Sequence, residues 1–212
     1  MDKLILKDLT IGYKEILIEK INLEVSKNDL VIIFGKNGSG KSSLLRALCN
    51  IESPLSGSFN INKVEDIGIL FGRSNEANYL YLYELIKFSN PKCTNDNLDK
   101  VLEYYGLLDL KFNFISNLSD GELQKAHLAR LKIQDPHFLL LDEPNNYLDL
   151  KAQLNLVNEL NSLRGKKGII LTTHSVEFAQ KLNPSKILII DTIKRSLLTL
   201  SDMNEEELLK FY

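Results

Sequence analysis

The stretch GKNGSGKS at residues 35–42 is the strongest structural signal in this chain. It follows the apolar run LVIIF and precedes the segment SLLRAL. Three glycines, two lysines and two serines are more than a simple turn needs. The spacing G-x-x-x-x-G-K-[ST] puts Gly35, Gly40, Lys41 and Ser42 at the fixed positions of a phosphate-binding loop. A strand, a glycine-rich loop and a helix are therefore predicted in direct succession.

The chemistry of such a loop follows from its backbone. Glycines allow successive N–H groups to point at phosphate oxygens, and the N-terminus of the next helix adds free donors and a favourable dipole. Lys41 is expected to reach the β- and γ-phosphates, and the Ser42 hydroxyl is expected to ligate Mg²⁺. The alternative is an ordinary Gly/Ser turn that caps the helix. Because a buried strand precedes the loop, we expect it to bind a nucleoside triphosphate.

Composition sets limits on the whole chain. With 212 residues and 44% hydrophobic content, it is long enough for one well-buried core. A net charge of -2 gives no overall positive field for nucleic acid or anionic lipid, so no nucleic-acid partner is expected. Cys49 and Cys93 lack metal-site spacing and are expected to be reduced structural thiols. The sequence shows no signal-peptide pattern and no long apolar span, so a cytoplasmic protein is expected.

The apolar pattern changes along the chain. From residue 1 to about 66, apolar and polar residues alternate, as in INLEV, which predicts antiparallel strands with one exposed face. Continuously apolar runs predict parallel strands covered on both faces; they are LVIIF (30–34), FLLLD (138–142), GIILTT (168–173) and KILIID (186–191). Residues from about 73 to 128 predict a mostly helical insertion. We therefore expect one α/β domain over 1–212, with a mainly parallel sheet, an antiparallel β subdomain and a small α-helical subdomain.

Two adjacent acids end one of these apolar runs. Asp142 and Glu143 lie at a buried strand end, where a charge is costly unless a metal or ligand compensates it. Asp142 is expected to contact Mg²⁺ through a water ligand. Glu143 is placed to polarise the water that attacks the γ-phosphate. Alone, the pair would fit an ordinary loop, but beside a phosphate-binding loop it predicts a catalytic centre.

Five motifs in succession cover nearly the whole chain: GKNGSGKS, LSDGE (118–122), FLLLDEP (138–144), NYLD (146–149) and LTTH (171–174). In this order they resemble the nucleotide-binding subunit of ATP-binding cassette (ABC) transporters. The resemblance implies a P-loop NTPase core of ABC type that uses ATP and Mg²⁺ in a head-to-tail dimer, either a homodimer or a cassette heterodimer. It also implies an integral membrane permease as partner, with this chain peripheral on the cytoplasmic face of the membrane.

The resemblance assigns roles to single residues. It implies that the LSDGE tip of one copy closes on ATP held by the other, that Asp149 acts across this interface, and that His174 contacts the γ-phosphate and organises Glu143. Tyr13 matches the aromatic residue that stacks on adenine. The implied nucleotide-binding residues are Tyr13, Gly35, Asn37, Gly38, Ser39, Gly40, Lys41, Ser42, Ser43, Ser119, Gly121 and Asp149. The implied catalytic residues are Lys41, Glu143 and His174, and the implied metal ligands are Ser42 and Asp142.

Some of these residues have simpler interpretations. Ser119 and Glu122 could form a helix capping box, which is compatible with a contact to ATP. His174 alone would fit a hydrogen-bonded histidine at a strand edge. The same structural role is expected for His127 and His137. The last residues, DMNEEELLKFY, predict a short amphipathic helix.

The chain also departs from the family pattern. Gly72 stands where the family usually has a glutamine, and the nearby polar residues are Arg73, Ser74 and Asn75. Asp120 replaces a signature glycine and is expected to point away from ATP, because a negative charge facing the nucleotide would weaken binding. These departures put coupling and full catalytic rate in question.

Three classes of function follow. A transport ATPase is favoured and predicts an exposed apolar or aromatic groove around residues 79–88. A soluble cassette acting in translation or DNA repair would be expected to show duplication, heptads or basic runs, which this sequence lacks. A catalytically impaired subunit is the third class.

The run LDLKAQLNLVNEL resembles importers of iron-siderophores, haem and cobalamin, whereas the short chain also fits exporters and cytochrome c maturation systems. No regulatory domain follows the cassette, so an importer of the sugar type is not expected.

Overall fold

The computed structural model describes residues 3–61, 66–71 and 79–200, which form two sheets, six α-helices and two short 3-10 helices. The strands are β1 (Lys3–Gly12), β2 (Ile16–Ser26), β3 (Leu30–Phe34), β4 (Ser56–Phe59), β5 (Ile67–Leu70), β6 (Phe138–Asp142), β7 (Gly168–Thr172), β8 (Lys186–Asp191) and β9 (Ser196–Leu200). The helices are α1 (Lys41–Leu48), α2 (Leu82–Ser89), α3 (Asn95–Tyr105), α4 (Asp120–Gln134), α5 (Leu150–Ser162) and α6 (Val176–Leu182).

The larger sheet has the strand order β5-β6-β7-β3-β8-β9. All neighbours are parallel except β9, which runs antiparallel to β8. The continuously apolar runs form β3, β6, β7 and β8, so the predicted parallel sheet is confirmed. Every residue of β3, β6 and β7 is buried, as expected when helices cover both faces. The loops after these three neighbouring strands therefore emerge side by side at the carboxyl edge, where open α/β sheets bind ligands.

The smaller sheet is antiparallel and has the order β2-β1-β4. In β2 the side chains of Ile18, Ile21 and Val25 are buried, while the polar residues between them face solvent. The buried face packs with α1 and one side of the large sheet in a single apolar cluster. This matches the antiparallel β subdomain that the alternating pattern predicts.

The helical subdomain is built from α2, α3 and α4 around a separate core, formed by residues such as Leu82, Leu98 and Ala129. The boundary expected near residue 128 lies inside α4, which continues to Gln134. The extra turn is stabilised from two sides, because Leu131 packs into the core of the large sheet and Ile133 into the helical core. Helix α4 therefore joins the two cores.

Several expectations concern residues outside the described ranges. They are the glutamine position at Gly72 with Arg73, Ser74 and Asn75, and the helix at residues 202–212.

Both cysteines are free and buried, and burial raises the pKa of the Cys49 thiol to about 12. Among the helices in the described ranges, none has the length and apolar character needed to cross a bilayer.

Candidate nucleotide-binding and catalytic site

The loop between β3 and α1 has a backbone that requires glycine. Gly38 and Gly40 have φ values of 78° and 101°, in the left-handed region that other residues adopt only with strain. A Cβ on Gly35 would lie 2.6 Å from Ser39 Oγ, closer than two such atoms can approach. Ser39 Oγ is itself buried and has no hydrogen-bond partner among the described residues. A buried hydroxyl of this kind beside a glycine turn is suited to hydrogen-bond a polar ligand.

Lys41 places a buried cation at the base of this loop. Its side chain is 6% exposed, and Nζ donates hydrogen bonds to the carbonyl oxygens of Gly35 (2.6 Å) and Lys36 (3.0 Å). Burial lowers the pKa of Lys41, whereas the nearby carboxylates of Glu143 and Asp142 act in the opposite direction. A buried ammonium group whose hydrogen bonds go to neutral carbonyl oxygens is suited to bind an anion.

Ser42 and Asp142 meet directly, although they are 100 residues apart. Ser42 Oγ donates to Asp142 Oδ2 at 2.5 Å, and Thr172 Oγ1 donates to Oδ1 at 2.6 Å. A hydroxyl and a carboxylate are hard oxygen donors of the kind that Mg²⁺ binds together with phosphate oxygens and water. The described ranges contain no cluster of three or more His, Cys, Asp or Glu residues that could hold a metal alone. This donor set fits a magnesium ion that arrives with a nucleotide.

Glu143 adopts a strained backbone conformation at the end of β6, with φ of 48°. Its N–H group donates to the backbone oxygen and to Oγ1 of Thr172, both at 3.1 Å, which fixes this conformation. The carboxylate oxygen Oε2 lies 3.2 Å from His174 Nδ1 and accepts a hydrogen bond from Asn146 Nδ2 at 2.6 Å. The structure thus brings Glu143 and His174 together, as the sequence implies, and adds Asn146.

A cavity of about 110 Å³ brings the Ser42–Asp142 pair and the carboxylate of Glu143 together. Its lining residues are Ser42, Gln124, Asp142, Glu143, Asn146 and Tyr147. Gln124 comes from α4 in the helical subdomain, and its Nε2 donates to the backbone oxygen of Pro144 at 3.0 Å. The sequence analysis missed Gln124 and Asn146. A polar residue in the loop just after Glu143 was the available signal for Asn146, whereas only the packing of α4 reveals Gln124.

Tyr13 lies at the outer rim of the site, in the turn between β1 and β2. Its hydroxyl donates to Glu52 Oε1 at 2.5 Å and lies 3.3 Å from Ser43 Oγ, over the first turn of α1. The side chain is 59% exposed. A ring that is fixed at its hydroxyl and open to solvent is available for stacking on a flat ligand.

Ser119 and Asp149 begin helices. Ser119 Oγ accepts from the Glu122 N–H at 3.4 Å, and Glu122 Oε2 accepts from the Ser119 N–H at 2.8 Å, so the capping box is present. The Ser119 hydroxyl, which donates to Glu122 Oε2 at 2.7 Å, and the Ser119 N–H lower the pKa of the Glu122 carboxyl. Asp149 Oδ1 accepts from the Ala152 N–H at 2.7 Å. Both helix starts are exposed, and the described hydrogen bonds of Ser119 and Asp149 stay within their own helices.

Gly121 lies against the loop that follows Glu143. A Cβ at Gly121 would lie 2.8 Å from the backbone oxygen of Tyr147, so no larger residue fits without a shift. Tyr147 has a positive φ of 62°. Asn37 and Gly38, at the tip of the phosphate-binding loop, are exposed.

Comparisons with known proteins give the family. The family model for the ABC transporter domain matches residues 18–146, and a model described as an AAA domain matches 114–179. An uncharacterized ABC transporter ATP-binding protein of Methanocaldococcus jannaschii is 30% identical over 198 residues, covering 84% of this chain and 78% of the relative. An aliphatic sulfonates import ATP-binding protein of Albidiferax ferrireducens is 30% identical over 200 residues, covering 90% and 72%.

A solved structure supports the fold independently. It is the dimer of an ATP-binding cassette in a post-hydrolysis state, bound to ADP and Pi, with a TM-score of 0.77 and 23% identity over 88% of this chain and 93% of that chain. The family match spans more than half of the chain, and it contains the phosphate-binding loop, LSDGE and the two acids. The chain therefore belongs to the ATP-binding cassette family and is an ATP-hydrolysing subunit of an ABC transporter.

Proposed function

We propose that this subunit hydrolyses Mg²⁺-ATP at sites shared between two copies in head-to-tail arrangement, and that it drives a separate membrane permease. The observation that carries the proposal is the single cavity in which Ser42 and Asp142 lie beside Glu143. Phosphate ligands, metal ligands and a water-activating carboxylate are the three parts that phosphoryl transfer to water requires.

The phosphate-binding loop supplies the first part. Backbone N–H groups of residues 35–43 and the N-terminus of α1 face the phosphates, and Lys41 exchanges its carbonyl partners for phosphate oxygens. Ser42 and Asp142 would hold Mg²⁺, which would neutralise charge on the phosphate oxygens. Tyr13 stacks on the base, and the Tyr13 hydroxyl lies next to Ser43 in the first turn of α1.

Glu143 supplies the catalytic carboxylate. It orients a water and takes up its proton as the oxygen attacks the γ-phosphate. His174 holds the carboxylate through Nδ1 and presents its other ring nitrogen to the γ-phosphate. Glu143 directly follows β6 and His174 lies two residues after the end of the adjacent strand β7, so the parallel pairing of these strands brings the two residues together at the carboxyl edge of the sheet.

A second copy completes the site. The N-terminus of α4 forms a tip at which Ser119 is exposed and Gly121 is half-buried, and the dipole of a helix favours an anion at its N-terminus. We infer that this tip seals the γ-phosphate bound to the other copy, with Asp149 at the same interface. The solved relative in the dimeric ADP and Pi state supports a dimer of this kind. The two copies are identical chains or two different cassettes.

The permease docks in a groove of about 440 Å³ between the large sheet and the helical subdomain. Its lining residues are Ile69, Phe71, Leu85, Phe88, Ser89, His127 and Arg130. Phe88 is 72% exposed, so an aromatic side chain lies open to solvent at the edge of a mainly apolar groove, which is a common form of interaction site. Two of its lining residues, Leu85 and Phe88, come from the segment 79–88, around which an exposed apolar or aromatic groove is expected from the sequence. Docking there places the chain on the cytoplasmic face of the membrane.

A substitution in the groove tests the permease partner. Phe88→Asp is expected to prevent an integral membrane protein from copurifying with this chain from membranes of the native host, because a charge replaces the apolar contact. Basal ATP hydrolysis by the isolated chain should stay unchanged. Phe112→Asp is the matched control, since Phe112 is 69% exposed but lies outside the groove. Equal copurification by both variants would contradict docking in the groove.

A second test concerns the base. Tyr13→Ala is expected to raise the KM for ATP about tenfold, the order expected for the loss of one base–aromatic stack. Inhibition by inorganic tripolyphosphate, which has no base, should not change. Tyr79→Ala is the control, because Tyr79 is also an exposed tyrosine. If the KM for ATP is unchanged in Tyr13→Ala, the base binds elsewhere.

A further inference from the structure

Asn146 makes two hydrogen bonds to Glu143. Its backbone N–H donates to the Glu143 carbonyl oxygen at 3.1 Å, which closes a turn, and its side-chain Nδ2 donates to Oε2 at 2.6 Å. The turn is flanked by two residues with positive φ, Glu143 (48°) and Tyr147 (62°). Strained backbone of this kind persists only where the surroundings hold it, and it concentrates at functional sites.

The two residues that precede Asn146 anchor the turn. The buried side chain of Asn145 accepts a hydrogen bond from Thr173 Oγ1 at 3.0 Å through Oδ1. The Pro144 carbonyl oxygen accepts from Gln124 Nε2 at 3.0 Å. Asn146 is therefore presented to Glu143 by a fixed segment, and little side-chain entropy is lost when its hydrogen bond forms.

Two donors share one carboxylate oxygen. His174 Nδ1 is 3.2 Å from Oε2, and His174 is more exposed than Asn146. The hydrogen bond from the Asn146 amide is shorter and better shielded from water than the contact with His174, so it is the stronger of the two. The amide of Asn146 does not titrate, so its donor group is present at every pH at which the protein is folded.

We propose that Asn146 is a positioning residue, which fixes the Glu143 carboxylate through Oε2 so that Oε1 faces the attacking water. Asn146 and His174 hold the same oxygen, and either contact alone keeps the carboxylate close to its working orientation. This inference rests on the proposed role of Glu143 as the carboxylate that activates water. The reaction needs the carboxylate within a narrow range of positions, since a shift of about 1 Å can cost about 100-fold in rate.

Steady-state ATP hydrolysis by the full chain, alone and with its permease, tests the proposal. Asn146→Asp keeps the shape but replaces the donor with a negative charge, and it is expected to lower kcat about 10- to 100-fold. The KM for ATP should stay within about twofold, because the phosphate-binding loop is untouched. Asn146→Ser retains a short donor and should recover part of the loss. An unchanged kcat in Asn146→Asp would overturn the proposal.

Combination with His174→Ala tests the sharing of one oxygen. Each alanine variant alone should keep part of the activity, whereas Asn146→Ala with His174→Ala should fall to the level of Glu143→Gln. A loss in the double variant that is only the product of the single losses would overturn the redundancy. Asn158→Ala, on the exposed side of α5, is the matched control.

Two further measurements separate this inference from its premises. Thermal unfolding and ATP binding of the Asn146 variants should match the wild type, and a loss of either would mean that Asn146 acts on the fold. If Glu143→Gln keeps the wild-type rate, the proposed function of Glu143 fails. If Glu143→Gln is inactive while all Asn146 variants are normal, only the positioning role fails.

Discussion

Glu143→Gln is expected to abolish ATP turnover while leaving ATP bound. The amide keeps the shape of the side chain but cannot accept the proton of the attacking water, so kcat should fall about 10²- to 10⁴-fold. The phosphate-binding loop, Ser42 and Asp142 remain in place, and ATP should therefore hold two copies together. Phosphate release measures the first effect, and size-exclusion chromatography with ATP measures the second.

The control for this variant is Glu177→Gln. Glu177 is an exposed acid on α6 whose partner is Lys181, at 2.6 Å. Its loss should change neither turnover nor dimerisation. A Glu143→Gln variant that remains monomeric with ATP would contradict the shared site. A wild-type chain as inactive as Glu143→Gln, even with its permease, would favour a nucleotide-binding subunit that does not hydrolyse ATP.

Lys41→Met is expected to lose ATP binding itself. Methionine preserves the apolar stem but removes a buried positive charge that the loop directs at the phosphates. Loss of a charge-assisted hydrogen bond corresponds to a decrease in affinity of about 10- to 100-fold, and turnover should disappear with it. Calorimetric titration with ATP provides the measurement. Lys36→Met, an exposed lysine in the same loop, is the matched control.

The same variant allows a test of the head-to-tail dimer. Lys41→Met has an intact LSDGE tip, and a Ser119→Arg variant has an intact phosphate-binding loop. Each should be inactive alone, but about half of the dimers in an equal mixture pair the two variants and contain one complete site. The mixture should then recover up to about a quarter of the wild-type rate. A mixture without activity would contradict a site built from two copies.

The sequence predicted the parts of this molecule whose signals are local. LVIIF and FLLLD are long enough and apolar enough to predict buried parallel strands, and the glycine spacing predicts the loop between β3 and α1. Ser119 and Glu122 predicted a capping box three residues apart, which is present. Each of these features depends on neighbours within a few residues, so pattern and propensity suffice.

The parts that were missed depend on contacts between distant segments. Strand β9 is short and only half buried, so SLLTL has no strong periodic signal, and its pairing with β8 defines it. Gln124 enters the cavity only because α4 packs against the loop after β6. The hydrogen bond of Glu52 to Tyr13 joins residues 39 positions apart. Such relations are properties of the packed molecule, and no single segment contains them.

Helix α4 has a mechanical consequence. One face of its 15 residues lines the groove that we propose as the permease site, through His127 and Arg130, and Ser119 is its N-cap. At 1.5 Å per residue the helix is about 22 Å long, so pivoting it by about 10° about its far end displaces the tip by about 4 Å. A hydrogen bond is lost when its donor and acceptor move apart by much less than this distance. In the proposed mechanism, a modest tilt imposed by the permease would therefore be enough to open or close the seal over the nucleotide, without any rearrangement inside the sheet.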